Sequence, residues 1–184
     1  MKGIKIEGKR ISLGPVKISD APALGDYFNG VFHYLGQAGT NTRAETRSFI
    51  RGENKKTRTH YWGIRLNNSG KIIGAISMRI TDKGIALTGT MLGEEYTGKG
   101  YGSEAKHLVL DYAFNTLGMV KIFSEVFSYN PRSKAYSLKC GYAHEATVTN
   151  KKFYDGKYWD EWILSITKEQ WEKAYKKYAK KHGL

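Results

Sequence analysis

The residues best placed to do chemistry lie between Met91 and Ala105, in the run Met-Leu-Gly-Glu-Glu-Tyr-Thr-Gly-Lys-Gly-Tyr-Gly-Ser-Glu-Ala. Gly98, Gly100 and Gly102 alternate with Lys99 and Tyr101, so the backbone can turn sharply and approach a bulky anion with no Cβ in the way. A strand-like segment precedes the run. Behind it, from Ser103 to about Thr116, Ala105, Leu108, Val109, Tyr112 and Ala113 recur at helical spacing. Amides at such a helix start lack intrahelical partners and sit at the positive end of the macrodipole, which suits a phosphate group. The spacing is not the Gly-x-x-x-x-Gly-Lys-Ser/Thr of a nucleoside triphosphatase, and no acidic ribose-binding strand follows as in a dinucleotide fold. By itself the pattern also fits an ordinary glycine-rich turn.

A second concentration of functional groups runs from Asn130 to Tyr142. Asn130 closes a strand, Pro131 suits a first helical position, and Gly141 suits the stop of a short helix. Tyr136 and Ser137 are adjacent hydroxyls on that helix, about 100° apart around its axis, so only one can face a given ligand. Tyr136 also reads as a core aromatic, and Ser137 as a solvated residue.

These two segments need a scaffold, and the chain supplies it in order. Arg10 to Ile18 alternates as a first strand, which Pro15 places at an edge or ends early. Ser19 and Asp20 offer N-cap chemistry to a helix bearing Leu24, Tyr27, Phe28 and Val31. Thr42-Arg-Ala-Glu45 is a capping box for a second helix. Between them, His33 to Thr42 is an aperiodic, glycine-rich loop that either lines a site or simply crosses the surface. His60 to Leu66, Ile72 to Ile80 and Ile85 to Leu92 form a meander, with turns at Asn67 to Gly70 and Asp82 to Gly84. Val120 to Ser128 reads as a central strand, parallel or antiparallel to the one before the loop. Asp155-Gly156 is a type I′ hairpin signal between His144–Tyr154 and Lys157–Ile166. Thr167-Lys-Glu-Gln170 caps a last helix with Trp171, Ala174, Tyr175 and Tyr178 on one face and Lys173, Lys176, Lys177, Lys180 and Lys181 elsewhere.

Composition bounds the rest. At 184 residues with 40% hydrophobic content, the chain reads as a single domain over residues 1–184. Its net charge of +13 favours acidic partners, whether a polyphosphate cofactor, RNA or a ribosomal surface, or it serves solubility. The lone Cys140 excludes an internal disulfide and reads as a buried small residue. The histidines lack metal-ligand spacing, so no metal is expected. No apolar run approaches the roughly 20 residues of a membrane span, and no signal-peptide region is seen, so a cytoplasmic protein is expected.

Taken together, the glycine run and the Asn130 segment resemble the two motifs of the GNAT superfamily of N-acetyltransferases: Arg/Gln-x-x-Gly-x-Gly/Ala, then Asn-x-x-Ala/Ser-x-x-x-Tyr-x-Lys-x-Gly-Phe. Asn130, Ser133, Lys139 and Gly141 match the second, and Tyr142 does so conservatively. The tail, with Tyr158, Asp160 and Trp162, is similar to the RimJ/RimL-type branch, and the resemblance spans nearly the whole chain. It implies an α/β (α+β) fold, a mixed twisted sheet of about seven strands flanked by helices, and acetyl-CoA as cosubstrate. By the resemblance, backbone groups of Met91 and Leu92 pair with the pantetheine arm. Amides across Thr97, Gly98, Lys99, Gly100, Tyr101 and Gly102 hold the pyrophosphate, and Asn130 contacts the cofactor.

Two departures matter for the chemistry. Thr97 stands where the family has Arg or Gln. The family's tyrosine, which protonates the leaving thiolate, falls at Ser137, with Tyr136 one residue earlier. Ser137 is therefore the first choice for the acid and Tyr136 the second. The RimJ/RimL-type glutamate base falls at Leu87, which leaves Glu94, Glu95, Glu125, His33, His60 or a water chain to deprotonate the amine. The acceptor implied is a primary amine on a peptide N-terminus, amino sugar, polyamine or antibiotic. The alternative is a non-catalytic GNAT fold that docks RNA or a ribosome through its basic surface. The hairpin around Asp155 could also carry a homodimer contact.

Overall fold

The computed structural model describes residues 4–31, 34 and 40–183. Within them the chain forms β1 (Ile6–Glu7), β2 (Ile11–Pro15), α1 (Ala21–Val31), α2 (Arg43–Glu53), β3 (Thr59–Leu66), β4 (Ile72–Asp82), β5 (Ile85–Leu92) and α3 (Tyr101–Asp111). It continues with β6 (Lys121–Phe127), α4 (Pro131–Lys139), β7 (Ala143–Tyr154), β8 (Lys157–Thr167) and α5 (Lys168–His182). The strands follow the order β1-β2-β3-β4-β5-β6-β8-β7. β5 pairs parallel with β6, from Ile85↔Lys121 to Leu87↔Phe123, while β1–β2, β2–β3, β3–β4, β6–β8 and β7–β8 are antiparallel. The expected mixed sheet is present with eight strands rather than seven. The additional β1 is two residues long, too short to show a period of two in the sequence.

The chain divides into two compact units, Met1–Arg79 with Thr88–Val109, and Ile80–Leu87 with Leu110–Leu184. In the first, β4 reads Ile-Ile-Gly-Ala-Ile-Ser-Met and is buried on both faces over most of that run, as the continuous apolar pattern requires. Val16, Ala21, Leu24, Ile50, Ile72 and Ala75 form one cluster beneath α1 and α2, with Tyr27, Phe28, Tyr61 and Met91 packed around it. Burying Leu24 and Ile50 completely is worth about 1.5–3 kcal/mol each. The Thr42 capping box forms as expected: Thr42 Oγ1 accepts from the Glu45 amide and the Glu45 carboxylate from the Thr42 amide. Asp20 does otherwise. It ends a short 3-10 turn at Ile18–Asp20, where its carboxylate accepts from the Lys17 amide (2.7 Å) and pairs with Arg65 (2.6 Å), so it closes that turn instead of capping α1.

In the second unit β6 runs between β5 and β8, with Ile122 and Val126 buried. α3 runs on into a π-helical turn at Tyr112–Thr116, and Phe114 there packs 5.7 Å from Trp171 of α5. Asp155 (φ 49°) and Gly156 (φ 77°) both adopt positive φ, as a type I′ turn demands. β7 departs from the regular strand expected, with register shifts between His144 and Ala146 and between Val148 and Lys152. At the second, Asn150 takes φ 51° and donates its amide to Asp160 Oδ1 at 3.0 Å. The capping box at Thr167 and Gln170 starts α5 as expected.

Candidate active site

Met91, Leu92 and the glycine loop lie in the first unit. β5 ends at Met91 and Leu92, both half-buried, and the strand beside it must come close: a Cβ on Gly74 would lie 2.2 Å from the Met91 carbonyl oxygen. Gly93 follows, its amide donating to the Ile73 carbonyl (3.0 Å) and its Cα covered by Tyr27, whose ring a Cβ would meet at 2.5 Å. Tyr27 donates to the Ile72 carbonyl at 3.2 Å, and burial, then the charge of Glu95, pushes its phenol up to about 12. The chain then makes one 3-10 turn, Glu94–Tyr96. Glu94 and Glu95 are exposed and belong to this turn.

Thr97 takes no outward role. Its hydroxyl donates to the Glu94 carbonyl at 2.7 Å and its amide to the same oxygen at 3.0 Å, which closes the turn. Gly98 (φ 73°) and Gly100 (φ 84°) occupy the left-handed region, whereas Gly102 lies within α3. Two of the three glycines thus bend the loop, and the third lies buried in the first turn of the helix. Among the described residues no acceptor receives the N–H of Gly98, Lys99, Gly100 or Tyr101. Unpaired donors of this kind at the start of an 11-residue helix fit a pyrophosphate. Two residues outside the expected set brace the loop: Arg10 donates to the Lys99 carbonyl, and Glu104 holds Arg10.

The Asn130 segment lies in the second unit. Asn130 caps α4, its Oδ1 accepting from the Ser133 amide at 3.1 Å, which leaves its amide NH2 for a ligand. Pro131 occupies the first turn. Ser137 is 1% exposed, which overturns the reading of a solvated residue, and Tyr136 is half-buried. The Ser137 carbonyl accepts from Cys140 (3.0 Å) and Tyr142 (3.2 Å), tying the end of α4 to the following turn. Gly141 needs its φ of 99°, and a Cβ there would lie 2.5 Å from Ala174 Cβ. Cys140 is fully buried, as expected of a packing residue. Of the candidate bases in this unit, Glu125 is exposed, and Leu87 is a half-buried apolar side chain.

His60, in the first unit, stacks on Trp62 at 5.1 Å and its imidazole is shifted below the ordinary 6.5 by burial. His33 lies outside the described residues. Among the described residues no group of three His, Cys, Asp or Glu side chains could hold a metal ion. No helix among them is long and apolar enough to cross a membrane.

A family model described as the acetyltransferase (GNAT) domain matches residues 10–143. The chain belongs to the GNAT family of acetyltransferases. Its sequence is 26% identical over 177 residues to the probable N-acetyltransferase YjcK of Bacillus subtilis, covering 88% of this chain and 96% of that one. Among solved structures, a GNAT-family acetyltransferase from Bacillus anthracis superposes with a TM-score of 0.81 at 22% identity over 90% of this chain and 99% of its own. The spermidine N-acetyltransferase of Vibrio cholerae, in complex with CoA and spermine, superposes at 0.80 with 18% identity over the same 90% and 99%. These likenesses establish the GNAT fold. As a GNAT acetyltransferase the chain uses acetyl-CoA as its cosubstrate. The unpaired amides and the two left-handed glycines at Gly98–Tyr101 fit the cofactor's pyrophosphate.

Proposed function

We propose that this GNAT acetyltransferase moves the acetyl group of acetyl-CoA directly to a primary amine. The observation that carries the reading is the row of four unpaired amides, Gly98 to Tyr101, at the start of α3. These would bind the pyrophosphate, and the backbone of Met91 and Leu92 would align the pantetheine. The amide near Leu92 would polarise the thioester carbonyl as the oxyanion develops. The amine nitrogen attacks that carbonyl, a C–N bond forms as the C–S bond breaks, and the thiolate takes a proton. Ser137 is the proposed donor, with Tyr136 second. Asn130 would present its NH2 to the cofactor. No enzyme-bound acyl intermediate is needed, and Cys140 is buried in packing.

With an apolar Leu87 in place of a carboxylate, the amine would lose its proton to water, helped by desolvation. The V. cholerae spermidine enzyme makes a polyamine an obvious acceptor to test. A net charge of +13 opposes the approach of a polycation, so a peptide N-terminus or an amino sugar is expected to outrank spermidine. The test is calorimetry with acetyl-CoA, followed by thiol release with a panel of amines. Micromolar binding, abolished in Gly100→Asp, and amine-dependent thiol release are expected. A folded protein that binds acetyl-CoA yet releases no thiol with any amine would turn the reading toward a non-catalytic role.

A further inference from the structure

Arg10 reaches the glycine loop from far away in sequence. Its Nε donates to Glu104 Oε2 at 2.8 Å, its backbone amide donates to Glu104 Oε1 at 2.7 Å, and its Nη1 donates to the Lys99 carbonyl at 2.9 Å. The guanidinium lies 4.8 Å from the centroid of the Tyr101 ring. Its Nη2 is buried without a hydrogen-bond partner among the described residues and sits 3.2 Å from where a Cβ on Gly100 would be. Glu104 is the anchor at the other end: its side chain is 5% exposed, one helical turn into α3. One planar cation therefore ties the peptide between the two left-handed glycines to the first turn of the helix. A guanidinium suits this because its rigid fork satisfies a carboxylate and a carbonyl at once.

The loop's own side chains do not provide such a charge. Thr97 spends its hydroxyl on the turn, and Lys99 is exposed with no partner among the described residues to fix it. We propose that Arg10 is the fixed cation of the acetyl-CoA loop, a positioning residue that holds the Lys99 peptide in register and supplies from the start of β2 the positive charge that position 97 lacks. The inference rests on the reading of Gly98–Tyr101 as the pyrophosphate site.

Its effect must then be confined to the phosphate end of the cofactor, which gives the test. Calorimetric affinities for acetyl-CoA and for S-acetylpantetheine, which lacks the phosphates, are compared in wild type, Arg10→Gln, Arg10→Lys and the double variant Arg10→Gln/Glu104→Gln, alongside thermal melts. Arg10→Gln is expected to weaken acetyl-CoA about tenfold, the size of one charge-assisted contact, and to leave S-acetylpantetheine unchanged. Arg10→Lys should recover part of the loss. The double variant, with no buried carboxylate left unpaired, should regain the wild-type melt and still bind acetyl-CoA weakly. Wild-type affinity in the double variant would overturn the inference, because Arg10 would then only balance Glu104. Equal losses for both ligands would overturn it too. If folded wild type fails to bind acetyl-CoA, the pyrophosphate reading itself falls. If wild type binds and Arg10→Gln binds as well, only this inference falls.

Discussion

The glycine loop and the Asn130–Tyr142 segment reach toward function by different means. The loop is proposed to work with its backbone. Its amides are fixed by two positive-φ glycines, by Thr97 folded onto Glu94, and by Arg10 on Lys99. The Asn130 segment is proposed to work with side chains, mounted on a short helix that is held at both ends, by the Asn130 cap and by the Cys140 and Tyr142 amides. A backbone site tolerates a change of side chain as long as φ and ψ survive, whereas a side-chain site changes its chemistry with a single substitution. This contrast fits a loop that has its glycines while Thr97 stands in place of an Arg or Gln, and a helix on which a serine stands in place of a tyrosine.

Paired glycine substitutions would break the comparison most sharply. Gly141→Ala places a Cβ 2.5 Å from Ala174 Cβ and 3.3 Å from Ile166 Cδ1, at a φ of 99°. Ala174 Cβ is fixed to its own backbone and cannot swing aside, so a loss of about 3 kcal/mol and a fall in Tm of roughly 6–12 °C are expected. Gly100→Ala, at a φ of 84°, meets only the Arg10 guanidinium at 3.2 Å. A smaller fall in Tm is expected there, about 1–2 kcal/mol of backbone strain, with acetyl-CoA affinity reduced at least tenfold. A result in which Gly100→Ala costs stability and spares affinity would make the loop an ordinary turn.

The next contrast lies within α4. Ser137→Ala, which removes one hydrogen bond to the leaving sulfur, should lower kcat about tenfold with the KM for acetyl-CoA unchanged, and Tyr136→Phe should leave kcat within about twofold. The reverse outcome would assign the proton to Tyr136 and leave Ser137 as a packing residue, consistent with its burial alone.

How much of this was legible beforehand follows the same division. Local signals worked where the partners are neighbours in sequence: the capping boxes at Thr42 and Thr167, the Asp155-Gly156 turn, and the glycine spacing before α3. Contacts between distant residues left no trace. Arg10 and Glu104 are 94 residues apart, and each reads alone as an ordinary surface charge. The burial of Ser137 depends on what packs over α4, which helical periodicity does not specify. The two register shifts in β7 and the π turn after α3 each insert residues into a regular repeat, so a scan for strict periods passes over them.

The smallest expected effect concerns His60, a titratable side chain of the first unit among those considered as the base. If that unit contributes backbone alone, His60 should matter to stability and not to the pH dependence of catalysis. Its folded pKa lies below the unfolded 6.5 because burial disfavours the imidazolium. The unfolded chain then binds more protons below that value, so the contribution of His60 is complete above pH 6.5 and is lost as the pH falls toward its folded pKa. Melts of wild type and His60→Gln between about pH 5 and 8 should converge on the acid side as that contribution disappears. The pH profile of kcat/KM should be the same in both, following deprotonation of the acceptor amine. A limb of that profile lost in His60→Gln would instead identify the imidazole as the base, and the first unit would contribute a side chain to the chemistry after all.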